Sequence, residues 1–193
     1  HQLHKEPGFF VTLTRTKDKF LDLDERSKIA NEKQGDIFIS IHANSAPHAE
    51  DKGIETYVLN NTADRAAQKL ATAENSNSRS SELGFILSDL QINSKVDESS
   101  RLAFFVKSAL IKNLKTSYAA IINRGVKQAL FYVLLGAHMP SIMAEVSFLS
   151  NPVEEKRLRS KKYQTEVAKA IAKGIKRYFD EKDKPEMYVK AGR

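Results

Sequence analysis

Two polar side chains, about a hundred residues apart, each end a short apolar run of this sequence. His42 follows residues 37–41, which are apolar except for Ser40, and Glu145 follows Ile142, Met143 and Ala144. Runs of this kind predict buried strands, and ligands of open α/β sheets bind beyond the carboxyl ends of such strands. An imidazole and a carboxylate at one sheet edge could serve as a metal ligand and a general base. Taken alone, residues of these types after a strand more often have a structural role, so the residue types by themselves leave both interpretations open.

The composition indicates one folded domain and restricts the kind of metal site. The chain has 193 residues, of which 41% are hydrophobic and 28% charged, as in a globular protein with a substantial core. No apolar run approaches the ~20 residues of a membrane span. Because the sequence contains no cysteine, a zinc site would have to use histidine and carboxylate ligands.

The net charge of +7 favours anionic surroundings, such as nucleic acid, a membrane surface or a cell-wall polymer. The basic residues are spread along the chain and are not interleaved with aromatic residues as in single-stranded nucleic-acid binders. No glycine-rich phosphate loop follows a predicted strand. We therefore expect no nucleic-acid partner and no nucleotide site.

The hydrophobic periodicity predicts an α/β fold with a mostly parallel, twisted sheet and helices on both of its faces. Residues 1–180 are assigned to one domain and residues 181–193 to a charged C-terminal tail. We predict strands at residues 9–14, 36–41, 53–59, 131–135 and 142–146. We predict helices at residues 22–33, 63–74, 96–114, 152–159 and 162–179, with the tail of a helix at 1–5 and a short amphipathic piece at 82–91.

Seven short words of the sequence occur in the order of a known family. They resemble the zinc-dependent N-acetylmuramoyl-L-alanine amidases, which cut peptidoglycan, and span roughly residues 9–179. The words are Leu13-Thr14-Arg15, Leu23-Asp24-Glu25-Arg26, Ile29-Ala30-Asn31, Ser40-Ile41-His42-Ala43-Asn44, Gly53-Ile54-Glu55-Thr56-Tyr57, Arg124-Gly125-Val126-Lys127 and residues 145–152.

The resemblance implies zinc as cofactor and peptidoglycan as substrate. It makes His42 the third zinc ligand and Glu145 the general base for cleaving the bond between muramic acid and L-alanine. Asn44 is then a candidate for binding loops or substrate amides. Glu55 is a candidate for orienting a ligand histidine, with a plain surface position as the alternative.

The sequence departs from the family pattern at its beginning. That pattern opens with a strand ending in Asp-Pro-Gly-His-Gly-Gly and a glutamate at the start of the first helix, which carry the other zinc ligands. Neither is present in the sequence. A single imidazole holds zinc weakly, so we expect an N-terminally incomplete domain that is inactive alone and is completed upstream in the full protein.

Residues 63–98 resemble a helical insert of the family members that separate dividing cells. In those proteins the insert places a carboxylate on the zinc until a protein activator displaces it. Glu74 is the first candidate for this inhibitory ligand, Asp89 and Glu82 are weaker ones, and a solvated surface glutamate is the alternative.

The resemblance further implies an exported protein, periplasmic or associated with the cell wall, that acts in wall remodelling or daughter-cell separation. Two rival functions stay open. One is a non-catalytic wall-binding or regulatory relative, and the other is a different zinc amidohydrolase.

Overall fold

One four-stranded sheet organises the computed structural model, which describes residue 3, residues 8–76 and residues 89–183, with side chains of the last segment from residue 95. The strands are β1 (Phe38–Asn44), β2 (Ile54–Leu59), β3 (Asn123–Ala129) and β4 (Ser141–Phe148), in the order β1-β4-β2-β3. β1 and β4 are parallel, β2 and β3 are parallel, and β2 and β4 are antiparallel. The prediction of a mostly parallel sheet is confirmed.

Helices cover both faces of this sheet, as predicted. They are α1 (Leu23–Glu32), α2 (Arg65–Asn75), α3 (Asp89–Leu114), α4 (Tyr132–Leu135), α5 (Pro152–Leu158) and α6 (Lys161–Lys182). Residues of α3 and α6 share one hydrophobic core with the sheet, and residues of α1, α2 and α4 share a second core on the other face. Every residue of β4 is buried, because the strand is central and covered on both sides.

The alternation of side chains along β4 decides which face carries the polar residues. Ile142 and Ala144 lie in the core with α3 and α6, whereas Met143 lies in the core with α1, α2 and α4. Because strand side chains alternate between faces, Glu145 lies on the same face as Met143. That face is the one covered by α2, which carries Glu74.

Two predicted strands are wrong. Residues 9–14 are irregular, with Phe10 99% exposed, and pair with none of the described strands. Only Phe9 packs inward, edge-on against Phe179 at 5.8 Å between ring centroids. The apolar run at 131–135 contains the short helix α4, and the strand of this region is β3, which was not predicted.

The helix ends follow the expected capping chemistry with one difference. Asp22 caps α1, and its backbone N–H donates back to Glu25, which completes a capping box. After this helix the residue in the left-handed conformation is Gln34, with φ 51°, rather than the glycine that is common at such a position. The expectations for residues 1, 2, 4–7 and 184–193, most of residues 82–91, Glu82 and the side chain of Asp89 lie outside the described part of the chain.

Candidate active site

The two residues that opened the sequence analysis lie directly opposite each other. His42 of β1 and Glu145 of β4 are register partners in the parallel pair, near the carboxyl ends of both strands. Register partners point to the same face, so both side chains project towards α2. The predicted meeting of an imidazole and a carboxylate at one sheet edge is therefore present.

Glu145 is a buried carboxylate with an unfilled bonding capacity. Its side chain is fully buried, and neither carboxylate oxygen has a hydrogen-bond partner among the described residues. Burial raises the pKa of Glu145 well above its ordinary value, and the nearby charges of Glu74 and Glu55 act in the same direction. Because buried polar groups are nearly always bonded, these oxygens are positioned to receive a partner from outside the protein.

His42 links the sheet to α2. Its Nδ1 lies 2.9 Å from a carboxylate oxygen of Glu74, and its Nε2 lies 3.0 Å from the hydroxyl oxygen of Ser40. The hydrogen bond from His42 is the main reason why the pKa of Glu74 is lowered, against the opposing effect of its partial burial. The resulting contact places a second carboxylate at the imidazole.

α2 is attached to the rest of the domain through small contacts. Its buried residues are the alanines Ala67 and Ala71. At its C-terminal end the side chain of Asn75 donates to the carbonyl of Leu130 and accepts from the N–H of Tyr132. This amide tie fixes the helix end that carries Glu74.

The ligand atoms of His42, Glu74 and Glu145 all lie within 4.8 Å of one another. One imidazole nitrogen and two carboxylate oxygens are donors that zinc accepts, and the unpartnered oxygens of Glu145 face this cluster. The residues present therefore fit a zinc ion by the chemistry of their donors.

Glu55 lies opposite Glu145 on its other side, in the antiparallel pair of β2 and β4. It is 2% exposed, so the surface alternative for this residue is wrong. Its Oε1 accepts hydrogen bonds from the side-chain amide of Asn44 at 2.6 Å and from the Tyr57 hydroxyl at 2.9 Å. Its Oε2 accepts from the Lys127 ammonium at 2.7 Å and lies 3.4 Å from Nε of Arg124.

The predicted site residues thus form two adjoining groups. His42, Glu74 and Glu145 make one, whereas Asn44 and Glu55 are bonded to each other in the second. The described contacts of Glu55 do not include His42, the histidine that it was expected to orient. Instead, Glu55 accepts a hydrogen bond from the side-chain amide of Asn44, two residues further along β1. Sequence reasoning missed Lys127 and Arg124, although both belong to one of the words that carried the resemblance.

The sequence profile described as N-acetylmuramoyl-L-alanine amidase (Amidase_3) matches residues 1–177 of this chain. The chain belongs to this amidase family. Members of the family are generally zinc-dependent, which agrees with the donor set of the cluster.

Curated relatives of this amidase domain span nearly all of the chain. The Bacillus subtilis protein YqiI is 34% identical over 177 residues, which are 92% of this chain and 68% of YqiI. The N-acetylmuramoyl-L-alanine amidase AmiA of Salmonella typhimurium is 28% identical over 95% of this chain and 65% of its own length. AmiA of Escherichia coli is 27% identical over 89% of this chain. The amidase chain spans 62% of that E. coli protein, slightly less than two thirds.

A solved structure confirms the fold of the amidase domain. The N-acetylmuramoyl-L-alanine amidase from Clostridium difficile 630 superposes with a TM-score of 0.70 at 27% identity. The match covers 93% of this chain and 77% of the other. The α/β architecture predicted from the sequence is thus that of a solved amidase.

Proposed function

We propose that this amidase hydrolyses the amide bond between N-acetylmuramic acid and L-alanine in peptidoglycan, with zinc as its cofactor. The observation that carries the proposal is the buried carboxylate of Glu145, which has no hydrogen-bond partner in the described chain and lies opposite His42. Family membership and the relatives named AmiA support the choice of bond.

His42 would hold the zinc through a ring nitrogen, and Glu74 through a carboxylate oxygen in the described conformation. When bound, zinc polarises a water molecule and lowers its pKa towards ~7. Glu145 takes a proton from the attacking water and gives it to the amine of L-alanine as the carbon–nitrogen bond breaks. The burial of Glu145 excludes bulk water from this proton transfer.

Glu74 has an inhibitory role in this proposal. Its carboxylate occupies the surroundings of His42, 2.9 Å from the imidazole, where water and substrate must enter. Because the core contacts of α2 come from two buried alanines and the partly buried Leu70, and its end is held by the Asn75 side chain, a protein activator could displace it without breaking a large core. We assign this regulatory role to residues 63–98, of which the structure describes the part up to residue 76 and from residue 89.

The substrate places the protein outside the cytoplasm, so we propose export to the periplasm or cell wall and a role in wall remodelling or daughter-cell separation. The net charge of +7 favours adsorption to an anionic wall polymer. In the described part of the chain no helix is both long and apolar enough to cross a membrane.

The function is tested by zinc content and by peptide release from purified peptidoglycan. Once the remaining ligands of the family pattern are supplied, we expect about one zinc per chain, and in that protein Glu145→Gln should retain the zinc and lose about 10²- to 10⁴-fold in turnover. Glu155→Gln, which changes a partly exposed glutamate paired with Arg159, is the matched control and should leave both unchanged. A chimera that adds the family's opening strand and first helix is measured in parallel, because these carry the remaining ligands of the family pattern.

Unchanged turnover in Glu145→Gln would exclude its role as the base. If both the chain and the chimera bind peptidoglycan without cutting it, the wall-binding alternative replaces the enzyme. Cleavage of other amides, with the muramoyl bond intact, would indicate a different zinc amidohydrolase.

The inhibitory role of Glu74 predicts that Glu74→Gln raises peptide release by about tenfold, within the 1–3 kcal/mol typical of coupling between sites. Hydrogen exchange of the α2 amides should become faster at the same time, because the contact with His42 is lost. Lys69→Ala, on the exposed side of the same helix, is the control. A fall in both zinc content and turnover would instead make Glu74 a required ligand.

A further inference from the structure

Two cations approach the same oxygen of the buried Glu55. The ammonium of Lys127 lies 2.7 Å from Oε2, and Nε of Arg124 lies 3.4 Å from it. A buried carboxylate needs a partner, but one positive charge is enough to neutralise it. The second cation therefore calls for a separate explanation.

Arg124 is committed to several contacts besides Glu55. Its guanidinium lies 3.3 Å from Asp51 Oδ1, donates to the carbonyl of Lys52 and lies over the ring of Phe148 at 5.0 Å. These contacts tie the loop before β2 to the start of β3. Arg124 thus has a structural function that accounts for its charge.

Lys127 has donors to spare. An ammonium group carries three N–H donors, and among the described residues this one makes a single hydrogen bond, to Glu55. The side chain is 22% exposed and lies 5.8 Å from the centre of the Tyr57 ring. Lys127 therefore presents a positive charge and unused donors to solvent from a position fixed by Glu55.

The sheet register places this ammonium beside the proposed catalytic cluster. Lys127 lies opposite Tyr57, and Tyr57 lies opposite Met143, so all three side chains share the face of Glu145. The strands β3 and β4 are two strand spacings apart, or ~10 Å. An extended peptide covers ~3.4 Å per residue, so a group about two residues beyond the cleaved bond reaches the Lys127 side chain.

We infer that Lys127 binds a free carboxylate of the stem peptide and thereby selects anionic over amidated peptides. This inference rests on the proposed function, since it assumes that a stem peptide leaves the cluster along this face. Glu55 acts as a positioning residue, because it fixes the ammonium without touching the substrate. A charge-assisted hydrogen bond to a partly exposed ammonium should favour the carboxylate by about tenfold.

The test measures the binding of two muramoyl tripeptides by calorimetry, one with the carboxyl group of its second residue free and one with this group converted to the amide. We expect the unmodified protein to bind the free carboxylate about tenfold more tightly. Lys127→Met should remove this preference and leave the affinity for the amide unchanged. Lys127→Arg should keep it, and Lys107→Met, at a half-buried lysine over Phe104 of α3, should have no effect.

Equal affinity of the unmodified protein for the two tripeptides, or no binding of either, would overturn the inference. An equal loss for both peptides in Lys127→Met would also overturn it, because that result describes a structural lysine. If Lys127→Met does not fold, Lys127→Gln decides by the same ratio. Peptide binding with the preference, but without cleavage by the chain or by the chimera that supplies the remaining zinc ligands, would contradict the proposed hydrolysis and leave the carboxylate site standing.

Discussion

Glu145 and Glu55 lie opposite each other on neighbouring strands, yet their surroundings are opposite in kind. Both are almost completely buried. Glu55 has four side-chain partners, from Asn44, Tyr57, Lys127 and Arg124, whereas the oxygens of Glu145 have no hydrogen-bond partner in the described chain. The fold supplies partners for the carboxylate of Glu55 but, within the described chain, no hydrogen-bond partner for the carboxylate of Glu145.

The contrast separates a structural carboxylate from a reactive one. Glu55 joins side chains from β1, β2 and β3, so its bonds hold three strands in register. Burial and the charge of Glu55 raise the pKa of Tyr57, which keeps its hydroxyl protonated as a donor. Within the described part of the chain Glu145 has no such bonds to break, and its carboxylate is available to an incoming group. Burying a carboxylate without a hydrogen-bond partner costs free energy of folding, so such a group is expected where it serves a function.

Glu55→Gln should have the largest effect on stability, lowering the free energy of unfolding by about 3 kcal/mol. Removing one partner of a buried ion pair typically costs about 3–5 kcal/mol, because the remaining charge is left without compensation. In this variant an amide group would face Lys127 and Arg124. Urea denaturation followed by circular dichroism measures the change.

The surface pair of Glu155 and Arg159 provides the reference for that measurement. These side chains are 38% and 79% exposed, so Glu155→Gln should change the free energy of unfolding by less than about 0.5 kcal/mol. If Glu55→Gln lowers the free energy of unfolding no more than this surface variant, the bonds of Glu55 do not hold the strands together. Glu55 would then not be a structural carboxylate, and the contrast with Glu145 would fail.

Tyr57→Phe should have an intermediate effect, of about 2 kcal/mol. The change removes only the hydrogen bond to Glu55 and keeps the edge-on contact of the ring with Phe131, at 5.0 Å between centroids. Hydrogen bonds to charged groups contribute about 1.5–3 kcal/mol, compared with about 1 kcal/mol between neutral groups.

Tyr163→Phe is the matched comparison for this variant. The buried hydroxyl of Tyr163 donates to the carbonyl of Val146 at 2.9 Å and lies 2.7 Å from the hydroxyl of Ser147, so its partners are neutral. A loss of about 1 kcal/mol is expected there. A larger loss for Tyr163→Phe than for Tyr57→Phe would show that the charge of Glu55 adds nothing to its bonds.

The surroundings of Glu145 could be predicted from the sequence better than those of Glu55. His42 and Glu145 each follow an apolar run, and parallel pairing of these runs brings the two together. Both cations that pair with Glu55, Lys127 and Arg124, lie about seventy positions away along the chain, and no local pattern contains such a pairing. Its alternation with apolar neighbours therefore pointed equally to a surface position.

The errors in the predicted strands have a similar cause. β3 contains Asn123, Arg124, Lys127 and Gln128, and its place at the edge of the described sheet allows these polar side chains. The five apolar residues at 131–135 could form a strand or a helix, because periodicity cannot separate the two over so short a run. Long-range packing decided both cases.

Glu145→Gln should have the smallest effect on stability, between zero and a gain of about 1 kcal/mol. It replaces a buried carboxylate, which has no hydrogen-bond partner among the described residues, by a neutral amide of similar shape. The same substitution is expected to abolish most of the turnover. Activity would therefore fall without a loss of stability at Glu145, but not at Glu55. Parallel urea denaturation of Glu145→Gln and Glu55→Gln compares them directly.

A loss of 2 kcal/mol or more in Glu145→Gln, about the size of a broken bond to a charged group, would mean that the fold already holds this carboxylate. It would then be a second structural glutamate beside Glu55, and the reason for placing the reacting water at Glu145 would be gone.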